Sequence, residues 1–123
     1  MVFWNSKSKR KKTGGVLKPG HKKKKYQRGG TFKAPKIGEE IISSRRVRGG
    51  KDKTAVIIAE FVNVGKKKLK IVQVSENKSN FRFNRAKIIT KGAILETEKG
   101  MVRVTSRPGQ DGTINGVFVE AKK

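Results

Sequence analysis

The sequence predicts a small all-β domain carrying an extended basic N-terminal arm. Three observations lead there. Most of the apolar residues able to form a core lie from Thr54 onward. They fall in short, β-branched runs punctuated by glycine, proline and asparagine, the pattern of strands and turns. The first 30 residues, by contrast, hold 11 Lys or Arg and no acidic residue.

The arm cannot bury enough apolar surface to order itself, so alone it is expected to be disordered. Its charge falls in two clusters, Lys7, Lys9, Arg10, Lys11 and Lys12, then Lys22, Lys23, Lys24, Lys25 and Arg28. Thr13-Gly14-Gly15 and Pro19-Gly20 break any helix, which argues against a basic amphipathic helix on a membrane. Fully extended, a segment of this length reaches on the order of 100 Å, enough to thread between RNA helices. Phe3, Trp4, Tyr26 and Phe32 are interleaved with the charge. They either stack on bases or anchor the arm to the domain. With the linker-like stretch after it, the extension covers residues 1–36 and the β domain residues 37–123.

Ile41 and Ile42 start a short strand. Arg45, Arg46 and Arg48 then cluster around Val47. A strand with Val47 inward puts Arg46 and Arg48 on one outer face. Guanidinium groups there suit bidentate contact with phosphate oxygens. Gly49-Gly50, followed by Lys51, either brings the backbone close to a phosphate or is an ordinary turn.

Thr54 to Val64 is the most continuous apolar run and reads as a central strand. Lys66, Lys67 and Lys68 form the basic tip of a hairpin into a strand with Leu69, Ile71, Val72 and Val74. Ser75 to Ala86 is polar, with room for one helical turn, and Arg82 and Arg85 add to the basic surface. Ile88, Ile89, Ala93, Ile94 and Leu95 read as the next β run. Val102 and Val104 alternate with Arg103 and Thr105, the period of a half-buried strand. Ile114, Val117, Phe118 and Val119 make the last run. Between these two lies Arg107-Pro108-Gly109-Gln110-Asp111-Gly112, too long for a two-residue hairpin. Pro108 sets φ, and Gly109 and Gly112 are the residues able to take positive φ. Arg107 either pairs with Asp111 or reaches a phosphate.

Chemistry is scarce. His21, the one histidine, sits among lysines with no carboxylate nearby in sequence. Gly49 to Thr54 lacks the Gly-Lys-Ser/Thr order of a phosphate-binding loop, because Asp52 follows Lys51. Glu96, Glu98 and Asp111 are expected in ion pairs with Lys91, Lys99 or Arg103 rather than at a metal. Cysteine is absent, which removes disulfides and thiolate zinc sites and fits a reducing compartment. No apolar run approaches the roughly 20 residues of a membrane span, and the opening residues are too short for a signal-peptide core. Asn77-Lys78-Ser79 is a glycosylation sequon, expected to be fortuitous. No catalytic residue, cofactor, metal or small-molecule substrate is expected.

Charge dominates everything else. Of 123 residues 33% are hydrophobic, and 32 Lys plus Arg stand against 9 Asp plus Glu, a formal net charge of +23. A compact chain with that excess repels itself unless a polyanion neutralises it, which points to nucleic acid.

Two strings narrow the partner. Ile89-Thr-Lys-Gly-Ala-Ile-Leu-Glu-Thr-Glu and Thr105-Ser-Arg-Pro-Gly-Gln-Asp-Gly resemble the small-subunit ribosomal protein eight family of archaeal and eukaryotic type, in its short archaeal form. Trp4, Arg10 to Gly15, Ile37-Gly38-Glu39 and Arg46-Val47-Arg48-Gly49-Gly50 fall in the family's order, so the resemblance spans nearly the whole chain. Lys51 departs from it, since the family commonly carries Asn there. The resemblance implies a β-barrel-like domain with a basic extension. It also implies a structural role in the cytoplasmic ribosome, on small-subunit ribosomal RNA and beside other small-subunit proteins. A DNA-compacting protein is the competing reading, and an enzyme acting on nucleic acid lacks an acid, base, nucleophile or metal site to support it.

Overall fold

The β-branched runs become strands in the computed structural model, which describes residues 3–5 and 8–119. The chain divides into two units, one ending at Phe32 and the other starting at Lys33.

In the first unit, β1 (Phe3–Trp4) pairs antiparallel with β2 (Arg28–Gly29). A 3-10 turn at Lys25–Gln27 precedes β2. Arg10 and Val16 form an isolated antiparallel bridge around a turn in which Gly14 takes φ +84°. No described residue of this unit is buried.

The second unit holds two sheets on one core. β3 (Lys36–Ile37) runs parallel to β5 (Asp52–Ala59), and β4 (Ile41–Arg46) antiparallel to it. β5 is therefore the central strand, as its apolar run predicts, and the linker-like stretch before Gly38 contributes an edge strand. The other five strands close a barrel: β6 (Phe61–Val64), β7 (Lys67–Glu76), β8 (Ile94–Thr97), β9 (Gly100–Val104) and β10 (Asn115–Phe118). Its neighbours are antiparallel except β10 and β6, which meet in parallel and complete the ring. The Asn63 side-chain amide donates to Asn115 Oδ1 at 3.2 Å across that seam. Gly116 sits in it, and a Cβ there would meet Val102 Cγ1 and lie 2.9 Å from the Arg103 carbonyl oxygen.

The core joins Val56 and Ala59 of β5 to Val62, Leu69, Ile71, Val74, Leu95, Val102 and Val104 of the barrel, with Ile89, Ala93 and Ile114 from its connections. Burying each of the larger aliphatic side chains is worth about 1.5–3 kcal/mol.

Several expected boundaries move. The run from Thr54 to Val64 breaks at Glu60, whose carbonyl accepts from the Ile71 backbone N–H at 2.9 Å, so its halves enter different sheets. In β7 the buried positions are Leu69, Ile71 and Val74, not a strict alternation. The register against β8 shifts after Ile71, and Val72 is left on the surface, 58% exposed. A bulge of this kind changes which face later residues occupy. Ile88 and Ile89 are buried but lie outside any strand. Their N–H groups donate to the carbonyls of Phe83 and Pro35, and a turn with Gly92 at φ +84° separates them from β8.

The loop after β9 also differs from expectation. Pro108–Asp111 is a helical turn, α2, with Arg107 as its N-cap and Pro at its start. Gly112 alone ends it in the left-handed region at φ +71°, whereas Gly109 has no positive φ. Proline suits the first helical position, since its missing N–H is not needed there.

Candidate nucleic-acid interface

Lys7 lies outside the described residues. The other arm cations are all exposed, and local backbone bonds shape the two clusters. Lys11 and Gly15 bond across the first turn, and Arg10 Nη1 donates to the Gly14 carbonyl at 2.8 Å. Lys9, Lys11 and Lys12 carry the charge beside it. In the second cluster the Lys24 N–H donates to Gln27 Oε1 at 3.2 Å, and Lys23 Nζ sits 5.6 Å from the centre of the Trp4 ring. Lys22 and Lys25 flank these residues, and Arg28 stands opposite Trp4 in the ribbon.

In the second unit, Arg45 and Arg46 end β4 and Arg48 lies beyond it. The expected alternation of Arg46 and Arg48 along one strand is therefore not what places them. Val47 to Lys51 is the hairpin turn, closed by a 2.7 Å bond from the Val47 N–H to the Lys51 carbonyl. Gly49 and Gly50, at φ +88° and +81°, supply a backbone that other residues adopt only with strain. The chain leaves this turn as a strand, so it is not the strand-to-helix turn of a nucleotide phosphate loop. Arg45 is directly opposite Lys53, and Arg46 opposite Asp52. Like charges placed opposite each other are destabilising, which leaves the first pair in want of an anion.

α2 packs against β5, with Gly112 on Thr54. The fold thus brings the exposed Arg107 to the strand that carries Lys53 and faces Arg45. Asp111 is committed locally, its Oδ2 accepting from the Arg107 backbone N–H at 2.8 Å. Arg82 and Arg85 sit elsewhere, on the helical turn α1 (Phe81–Arg85), where Asn80 caps the Arg82 N–H.

Counter-charges are few. Among the described residues one ion pair forms, Lys70 to Glu60 at 3.2 Å. The pairs expected for Glu96, Glu98 and Asp111 are not among them. Glu96 instead accepts from Gln73 Nε2 at 2.6 Å. Nor do His, Asp and Glu gather into a metal-binding group among the described residues. His21 is exposed, its Nδ1 at 3.0 Å from its neighbour's carbonyl.

Two structural roles went unread in the sequence. Lys68 Nζ lies over the Phe61 ring at 4.7 Å, on the hairpin whose tip is basic. Asn77 is a buried strut and not a surface sequon, 3% exposed. Its amide donates to the Ile88 carbonyl at 2.9 Å, and its oxygen accepts from the Ser79 N–H and Thr90 Oγ1, both at 3.0 Å.

Comparison with known proteins fits this cationic barrel. A relative from Methanocorpusculum labreanum is 40% identical over 97% of this chain and 100% of its own length. One from Haloarcula marismortui is 43% identical, over 92% and 95% respectively. One from Nanoarchaeum equitans is 46% identical, over 88% and 90%. Each is named small ribosomal subunit protein eS8. The family model described as ribosomal protein S8e matches residues 4–119, and the chain belongs to that family of structural, non-enzymatic ribosomal proteins.

Proposed function

We propose that this protein is a structural constituent of the small ribosomal subunit that binds and stabilises small-subunit ribosomal RNA. Residues 1–36 serve as a cationic extension that becomes ordered on RNA, and residues 37–123 as a basic β domain. The observation that carries this reading is the unspent charge: 32 basic residues, with a single ion pair among the described residues. Cations left unpaired at this density neutralise phosphates and release counterions, the sequence-independent part of nucleic-acid affinity.

The two arm clusters contribute Lys7, Lys9, Arg10, Lys11 and Lys12, then Lys22, Lys23, Lys24, Lys25 and Arg28. The domain contributes Arg45, Arg46, Arg48, Lys51, Arg82, Arg85 and Arg107. Neighbouring small-subunit proteins are the further partners, and the ribosome in the cytoplasm is the location. The relatives' names support the subunit.

Sedimentation of the tagged protein through a sucrose gradient tests the reading. It should travel with small subunits and resist a moderate salt wash, and it should bind protein-free small-subunit rRNA with an affinity that falls with salt. Co-sedimentation with chromatin and equal or tighter binding to duplex DNA would point to DNA compaction instead.

A further inference from the structure

Phe81 is the most exposed of the large apolar side chains described, at 78%. A single exposed apolar residue is ordinary. The frame that holds this one is not. It stands at the first position of α1, between β7 and β8, on an excursion pinned at both ends. Asn77 ties the incoming chain to Ile88 and Thr90 on the outgoing one. Asn80 caps the turn, and the Ile88 N–H returns to the Phe83 carbonyl at 3.0 Å. Ile88 and Ile89 root the excursion in buried surface. The ring is thus presented on a fixed support, so little conformational freedom remains to be lost on binding.

The surroundings select the occupant. From Asn77 to Leu95 there is no acidic residue, while Lys78, Arg82, Arg85, Lys87 and Lys91 are basic. The Arg82 guanidinium carbon is 5.7 Å from the centre of the Phe81 ring. Arg82 flanks the ring, and most of the residue's surface remains open. An exposed aromatic ring with one guanidinium beside it, and a second arginine at the end of the same helical turn, has the chemistry that receives an unstacked base and its phosphates.

We propose that Phe81 stacks on an unpaired base of ribosomal RNA while Arg82 and Arg85 hold the adjoining phosphates. This rests on the rRNA-binding function proposed above and adds to it a base-contacting residue. The arm and the β4–β5 hairpin neutralise the backbone, and Phe81 engages a base.

The test measures binding of the full chain to protein-free small-subunit rRNA across a salt series. Phe81→Ala should weaken binding about 5- to 150-fold, the range for loss of one stacked base, and leave the salt slope unchanged. Phe81→Trp should bind as well as the parent, and Phe81→Leu as poorly as the Ala variant. Arg82→Ala should instead flatten the salt slope. The melting temperature of free Phe81→Ala should stay near the parent's, since so little of the ring is buried.

Parent-like affinity of Phe81→Ala overturns the stacking role while the parent's own salt-dependent binding keeps the broader function. If Phe81→Leu matches the parent, the contact is apolar and not stacking, and the proposal is wrong. If Phe81→Ala binds naked rRNA normally but is lost from assembled subunits on a salt wash, the ring docks in a protein pocket. Failure of the parent itself to bind rRNA removes the function on which the proposal rests.

Discussion

Gly112 rests directly on Thr54. A Cβ on Gly112 would overlap Thr54 Oγ1 and lie 2.7 Å from Thr54 Cβ, and its φ of +71° is one that other residues adopt with strain. Gly112→Ala therefore carries two penalties, a left-handed backbone costing roughly 1–2 kcal/mol and a collision with β5. It should lower the melting temperature of the free protein by several degrees. Gly109 has open space around its Cβ position and no positive φ. Gly109→Ala should be neutral or slightly stabilising, because alanine is the better helix former. Equal melting temperatures for the two variants would refute the assignment of Gly112 as the conformational key of this loop.

Asn77→Ala should destabilise the free protein by about 1–3 kcal/mol, because it strands the buried Ile88 carbonyl. Asn77→Asp should be worse, since it sets a carboxylate oxygen against the Ile88 carbonyl in place of the amide donor. Urea unfolding reads both. An unchanged midpoint for Asn77→Ala would mean that water replaces the bonds at little cost.

Lys53 stands opposite Arg45, and the pair predicts opposite effects on stability and on binding. Lys53→Glu should stabilise the free protein by roughly 0.2–1 kcal/mol through a favourable cross-strand pair. The same change should weaken rRNA binding. Replacing Arg45, Arg46 and Arg48 together by Ala should flatten the salt slope by about 0.7–0.9 per lost phosphate contact. Unaltered slopes would put the hairpin away from the RNA.

Arg107→Ala should leave the melting temperature nearly unchanged, because Asp111 accepts from its backbone N–H and not from its guanidinium. Its affinity for rRNA should fall. Asp111→Ala should show the reverse, a lower melting temperature with binding retained. A destabilised Arg107→Ala that binds normally would make the arginine a brace for α2.

The strands were legible where packing obeys a simple period. Val102 and Val104 alternate with exposed neighbours as the sequence suggests, and the basic-tipped hairpin of β6 and β7 falls where the lysines mark it. The bulge at Val72 was not legible, since nothing in an apolar β-branched residue announces that its strand skips a register. Glu60 divides two sheets within one hydrophobic run, a role set by its carbonyl and not its side chain. The helical turn after Arg107 hid behind two glycines, either of which would serve a turn; contact with Thr54, distant in sequence, decides between them. At the interface the cations were easy to name, but their placement was not. Arg48 joins Arg46 through a turn rather than a strand, and nothing in the sequence sets Phe81 apart as an exposed ring until the chain around it is folded.

The parallel seam of β10 on β6 has a consequence for how the molecule is made. Residue 63 must wait for residue 115, because every other neighbour in the ring is joined by a shorter path. A contact so distant along the chain is slow to form, since the entropy of closing the loop precedes its reward. As the chain emerges from the ribosome that synthesises it, β6 and β9 each present an unpaired edge until the last strand arrives. Open edges of this kind recruit strands from other molecules. A nascent or truncated chain lacking β10 should therefore aggregate more readily than one whose ring is closed.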